Sequence, residues 1–224
     1  MVNELLQKNG CTAEQVLECL IKKKLITSEA LQSIVEAQKE DAFPLMKVGY
    51  YAFDGYLFSP NPNAYKKRQG VVVWVNPNKN APRGQRGLVM VPKLFPFSVT
   101  GHNGKETGAS NFEDGYANTY ELLSHKRQYG VQYYGAELVL EYTYNGIEKG
   151  QLFVPAVGQL ARMVKEKNKI NRALASIKAQ PLKDVLVSST VQSPCNMYAC
   201  MSGAGQIVAV SKEIQGVIRG VFAV

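Results

Sequence analysis

The sequence predicts an α+β protein in which helices are inserted among antiparallel strands, preceded by an N-terminal helical hairpin. Three observations lead there: the helical texture of the first forty residues, short apolar runs cut by Gly, Pro and Asn from Lys47 onward, and a longer helical pattern after Pro155. The chain has 224 residues, 46% hydrophobic and 20% charged, a balance that argues against wholesale disorder. No apolar run approaches the ~18 residues of a membrane-crossing helix, so no membrane insertion is expected. Met1-Val2-Asn3-Glu4 lacks a basic stretch followed by an apolar one, so no secretory signal is expected. Cys11, Cys19, Cys195 and Cys200 are too few and too scattered for a disulfide-built scaffold.

The opening segment contains no Gly or Pro except Gly10 and is rich in Leu, Glu, Lys and Gln. Thr12 and Gln15 have capping-box spacing, followed by Val16, Leu17, Leu20 and Ile21 on one face. Thr27 or Ser28 opens a second helix whose stripe is Ala30, Leu31, Ile34 and Val35. Each stripe needs a cover: the other helix, the main domain, or copies from other chains; a helical hairpin is the expectation. Pro44 discourages a continuing helix, which divides the chain into a segment 1–43 for attachment or oligomerisation and a domain 44–224.

Beyond that boundary, the β-branched run Val71–Val75 reads as a buried strand and Leu88–Val91 as another, joined by a turn-rich stretch. Tyr133 to Tyr144 is compatible with a helix, with Ala136, Leu138, Val139 and Tyr142 available for burial. After Pro155 the helical positions are Leu160, Met163, Val164, Ile170, Ala173, Leu174 and Ile177. Short strands then close the chain at Val185–Val187, Tyr198–Met201, Ile207–Val210 and Val217–Val224.

Catalytic chemistry has little support. His102 and His125 are the two histidines, in no metal-ligand spacing, and both read as solvated surface residues. No nucleophile elbow, phosphate-binding loop or dinucleotide fingerprint occurs, and neither cofactor nor metal is expected. Charge says more. Between Asp54 and Glu106 there is no acidic residue, while Lys66, Lys67, Arg68, Lys79, Arg83, Arg86, Lys93 and Lys105 fall there, matching the formal net charge of +8. Such a field steers toward anionic glycans, an acidic protein or nucleic acid, or serves solubility alone. No nucleic-acid module accompanies it, so nucleic acid is not the expected partner. Tyrosine is abundant, at 12 residues, and offers stiff amphipathic contact area; at helical spacing, Leu138 and Tyr142 are expected to face inward together.

Six segments in order carry a resemblance: VGYYAFDGYLFS (48–59), GVVVWV (70–75), DGYANT (114–119), QLFVPAVGQL (151–160), VSST (187–190) and VIRGVF (217–222). Together they resemble a bacterial and phage domain family with a C-type-lectin-like fold, related to the formylglycine-generating-enzyme type. That family includes cell-surface proteins, phage receptor-binding proteins and retroelement-diversified variable proteins. Gln159 stands where the family has an acidic residue, Val187 where it has Trp, and Gly220 where Pro is common. The resemblance implies a C-type-lectin-like domain whose closing segment displays exchangeable side chains: here Ser189, Gln192, Ser193, Asn196, Tyr198, Ser202, Gln206 and Ser211. Formylglycine-generating enzymes carry a catalytic cysteine pair with the spacing of Cys195 and Cys200, which implies a thiol or copper oxidase as a third reading. Packing is the expectation for these two, since free cysteine behaves as a small hydrophobe.

The function expected is therefore non-enzymatic: a phage- or prophage-encoded protein binding a host cell-surface protein or glycan, located in the virion and otherwise cytoplasmic until lysis. A homo-oligomer, possible as a trimer through the first segment, would multiply weak contacts. The alternative is a structural virion component packing against other virion proteins.

Overall fold

The computed structural model describes residues 46–101, 104–182, 185–203, 205–213 and 216–224. They belong to the unit Pro44–Val224; the N-terminal hairpin, its assembly role, Cys11, Cys19 and His102 lie outside the described residues. In chain order the elements are β1 (Tyr51–Phe53), β2 (Leu57–Ser59), β3 (Arg68–Val75), β4 (Gly87–Phe97), β5 (Val99–Thr100), α1 (Gly115–Tyr129), β6 (Gln132–Tyr133), α2 (Tyr134–Glu141), α3 (Val157–Lys165), α4 (Lys167–Ser176), β7 (Val185–Val191), β8 (Asn196–Met201), β9 (Gln206–Ser211) and β10 (Gly216–Ala223).

This is a mixed α+β fold. Its main sheet has eight strands in the order β2-β1-β3-β4-β10-β7-β8-β9, and a small second sheet pairs β5 with β6. Every pairing in the main sheet is antiparallel except β10 with β7. The last strand thus lies between β4 and β7 and joins the halves of the sheet. Val71 and Val73 of β3, Leu88 and Met90 of β4, Leu186 of β7 and Cys200 of β8 share one core with Leu160, Met163, Ile170 and Leu174 of α3 and α4. On β10, Gly220 lies beside Val139 of α2, Leu152 and Phe95. The pattern read after Pro155 becomes two helices, and its residues are buried apart from the half-buried Ile177.

The sheet's joint holds a buried charge. Arg219 is 1% exposed, and its guanidinium donates to the carbonyls of Pro92, Gln180 and Pro181, tying β10 to β4 and to the loop after α4. Burial pulls its pKa down to about 10. Pro92 falls near the register shift between β4 and β10, which accommodates a residue without an N–H.

Helix α1 is the element that apolar periodicity does not show. Asp114 caps it by accepting from the Ala117 N–H at 2.9 Å, and Gly130 ends it in the left-handed region at φ 75°. Its buried residues include Asn118, Thr119 and His125, so the inward stripe is largely polar. A Cβ on Gly115 would come within 2.6 Å of Gln159 Oε1, which explains the glycine after the cap.

Two expectations need correction. His125 is buried, sharing a 3.2 Å hydrogen bond through Nδ1 with the Tyr133 hydroxyl. Burial pushes the Tyr133 phenol up to about 12. In α2 the inward face is formed by Gly135, Ala136, Val139 and Leu140, which leaves Leu138 44% exposed, while Tyr142, just past the helix in extended conformation, is half-buried.

Candidate ligand-binding cleft

The closing strands place the eight expected binding residues in several environments. Ser189 and Ser202 are buried, at 0% and 2% exposure, and contribute nothing to an outer surface. Asn196, Tyr198 and Ser211 lie on one face of the β8–β9 ladder, with Asn196 opposite Ser211. Gln206 pairs with Met201 and therefore points to the other face. Gln192 and Ser193 occupy the turn between β7 and β8, both backbones donating to the Asn196 carbonyl. Tyr198 meets the Phe112 ring edge-on at 5.1 Å.

Two of the three hydroxyls of β7, those of Ser188 and Thr190, are used internally. Thr190 Oγ1 donates to the Asn111 carbonyl and accepts from the Val157 N–H, both at 3.0 Å, while the Asn118 side-chain amide donates to it at 3.3 Å. Ser188 Oγ donates to the Tyr198 carbonyl at 2.7 Å. Gln159 adds to this knot, its Oε1 accepting from Ala156 and Gly115 N–H groups at 2.9 and 3.2 Å. A neutral amide there meets two backbone donors without a buried charge.

The two C-terminal cysteines do not form a pair. Cys195 is exposed and Cys200 buried in the core. Cys195 stands in the bend before β8, whereas Cys200 lies near the end of that strand. Burial raises the Cys200 thiol pKa, disfavouring a thiolate. Among the described residues no group of three His, Cys, Asp or Glu is placed to hold a metal ion.

A cleft of about 820 Å³ opens at another part of the surface. The β1–β2 turn supplies Asp54 and Tyr56, the end of β3 supplies Trp74, the entry and first turn of α1 supply Glu113, Asp114 and Tyr116, and α3 supplies Arg162. Tyr56 and Tyr116 are 37% and 47% exposed. Tyr56 holds φ 61°, in the left-handed region unfavourable to a side chain-bearing residue. The Arg83 guanidinium covers its ring 3.8 Å from the centroid. Arg162 is ion-paired with Glu113 and lies 5.2 Å from the Trp74 ring centroid. Tyr116 sits 4.7 Å from Tyr120, ring to ring, and a hydrogen bond with the Tyr120 hydroxyl raises its pKa.

This wall combines flat aromatic surface with oriented acceptors and donors. It suits a ligand with both apolar faces and hydroxyl groups: rings take the former, while carboxylates, phenols and Arg162 take the latter. Carboxylates accompany Arg162, the one arginine among the described residues that line the cleft, so a polyanion fits less well.

Two residues of the basic stretch, Lys67 and Arg83, contact cleft-lining residues, and others are engaged with backbone carbonyls. Lys67 pairs with Asp54 at 3.2 Å, both exposed. Arg68 donates to the Pro62 carbonyl at 2.8 Å, and Arg86 Nε to that of Ala81 at 3.1 Å. Arg83 is engaged with Tyr56, while Lys66 and Lys79 are exposed. In the sequence Trp74 reads as a strand interior residue, and nothing there marks Tyr56 or Tyr116 for a role. The signal available was Trp74 at the end of an apolar run, directly before the Asn76-Pro77 turn.

No family model matches the chain, and no curated protein matches it. Among solved structures, a fimbrial protein from Bacteroides ovatus is similar, with a TM-score of 0.58 and 16% sequence identity over 80% of this chain and 49% of that one. The chain spans about half the length of that protein, and at this identity the likeness concerns the fold.

Proposed function

We propose that this chain is a non-enzymatic recognition protein that binds a host-surface glycan in the cleft. The observation that carries the reading is the convergence of Tyr56, Trp74 and Tyr116 with Asp54, Glu113, Asp114 and Arg162 around one open volume. Saccharide rings have apolar faces that stack on aromatic side chains, and hydroxyls that donate to carboxylates. We read the fold as C-type-lectin-like on the strength of the six ordered segments, and a phage or prophage particle as its setting on the same resemblance. Similarity in fold to a fimbrial protein supports a role at a surface.

A glycan array followed by calorimetry on the best ligand tests the reading. Wild type is expected to bind a defined oligosaccharide, and Tyr116→Ala to weaken it at least tenfold, about 1.4 kcal/mol. An array with no hits, or affinity indifferent to Tyr116→Ala, rejects the cleft as a glycan site.

A further inference from the structure

The two edges of the main sheet are built differently. At one end β2 has three residues, Leu57–Ser59, and is followed by Pro60 and Pro62, which cannot donate to a neighbouring strand. At the other end β9 runs for six residues in an unbroken antiparallel register with β8. Its sequence, Gln206-Ile207-Val208-Ala209-Val210-Ser211, contains neither a charge nor a proline, and Ile207 is 43% exposed. Among the described residues β9 pairs with β8 alone. Folded proteins usually blunt such an edge with lysine, proline, a bulge or brevity. β2 has two of these devices and β9 has none.

We propose that the β9 edge is the contact surface for a second copy of this chain, the two sheets continuing across a two-fold axis. Antiparallel strands related by a two-fold normal to the sheet pair residues that face the same side, so the pairing centres on a residue. Centring on Val208 places it against its own copy, Ile207 against Ala209, and Gln206 against Val210. Ile207, Val208 and Ala209 of each strand then meet apolar partners, Gln206 meets Val210, and no like charges approach. Centring on Ala209 instead sets Gln206 against Lys212, whose side chain is buried in its own subunit at 2% exposure. A head-to-tail joint of β9 on β2 is excluded by the length of β2 and its prolines.

Light scattering on the full-length chain, separated by size exclusion at about 50 µM, tests the inference. The expected mass is twice 24.7 kDa, or an even multiple where residues 1–43 add a second contact. Ile207→Lys changes an exposed position and is expected to halve the mass while leaving the melting temperature within about 2 °C. With Cys11, Cys19 and Cys195 replaced by Ser, Val208→Cys is expected to form a disulfide-linked dimer in air, and Ile207→Cys, facing Ala209, is not. A monomeric wild type, a mass unchanged by Ile207→Lys, or equal cross-linking by both cysteine variants overturns the proposal.

Discussion

The closing strands and the cleft draw on the same residue types, hydroxyls, amides and tyrosines, and use them in opposite ways. In β7, Ser188 and Thr190 spend their hydrogen bonds on Tyr198, Asn111 and Val157, holding the sheet to α1 and α3. In the cleft, Tyr56 and Tyr116 stand exposed and Trp74 is half-buried, with carboxylates beside them. Polar composition therefore marks where hydrogen bonding is available, whereas topology decides whether it is already spent. A recognition surface needs groups that stay exposed, and the cleft's carboxylates do so although each already has one protein partner.

The strongest way to break this contrast is a pair of multiple variants measured against one glycan. Combined Trp74→Ala and Tyr116→Ala is expected to cost about a hundredfold in affinity, near 3 kcal/mol, by calorimetry. Gln192→Ala, Asn196→Ala and Tyr198→Ala together are expected to change it less than about threefold. The reverse ranking would return recognition to the closing strands.

Stability sharpens the comparison from the other side. Thr190→Val removes the acceptor of the Val157 N–H and one of the two donors to the Asn111 carbonyl, and is expected to lower unfolding free energy by about 2 kcal/mol in urea titrations. Tyr133→Phe is expected to matter most in alkali. The folded phenol keeps its proton to about 12 while the unfolded one ionises near 10, so this group's contribution is lost as pH rises through that interval. Wild type should therefore lose about 1 kcal/mol more than Tyr133→Phe between pH 9 and 11. The smallest effect belongs to Ser189→Ala. The Ser189 hydroxyl is buried with no hydrogen-bond partner, so its removal is expected to leave stability unchanged or raise it by up to about 1 kcal/mol. A marked loss of binding in that variant would contradict the separation drawn here.

Much of the fold was legible because apolar runs in strands and the stripe after Pro155 report burial directly. Val71, Val73, Leu160, Met163, Ile170 and Leu174 all reach the core. Helix α1 escaped that logic, since Asn118, Thr119 and His125 line its inward face and their partners lie on distant segments. Arg219 escaped it too: a lone basic residue in an apolar strand gives no hint that three carbonyls converge on it. The cleft was the least legible part. Asp54, Trp74, Tyr116 and Arg162 come from four separated segments, and only the sheet order and the placement of α1 and α3 bring them together.

Trp74 is the chain's single tryptophan, so its emission reports one site. Titrating the array-selected oligosaccharide while recording that emission tests whether recognition happens in the cleft. A saturable spectral change whose midpoint matches the calorimetric Kd is the expected result. Saturable calorimetric binding with an unaltered Trp74 spectrum, retained in Trp74→Phe and lost on Asn196→Ala with Tyr198→Ala, would place the ligand elsewhere.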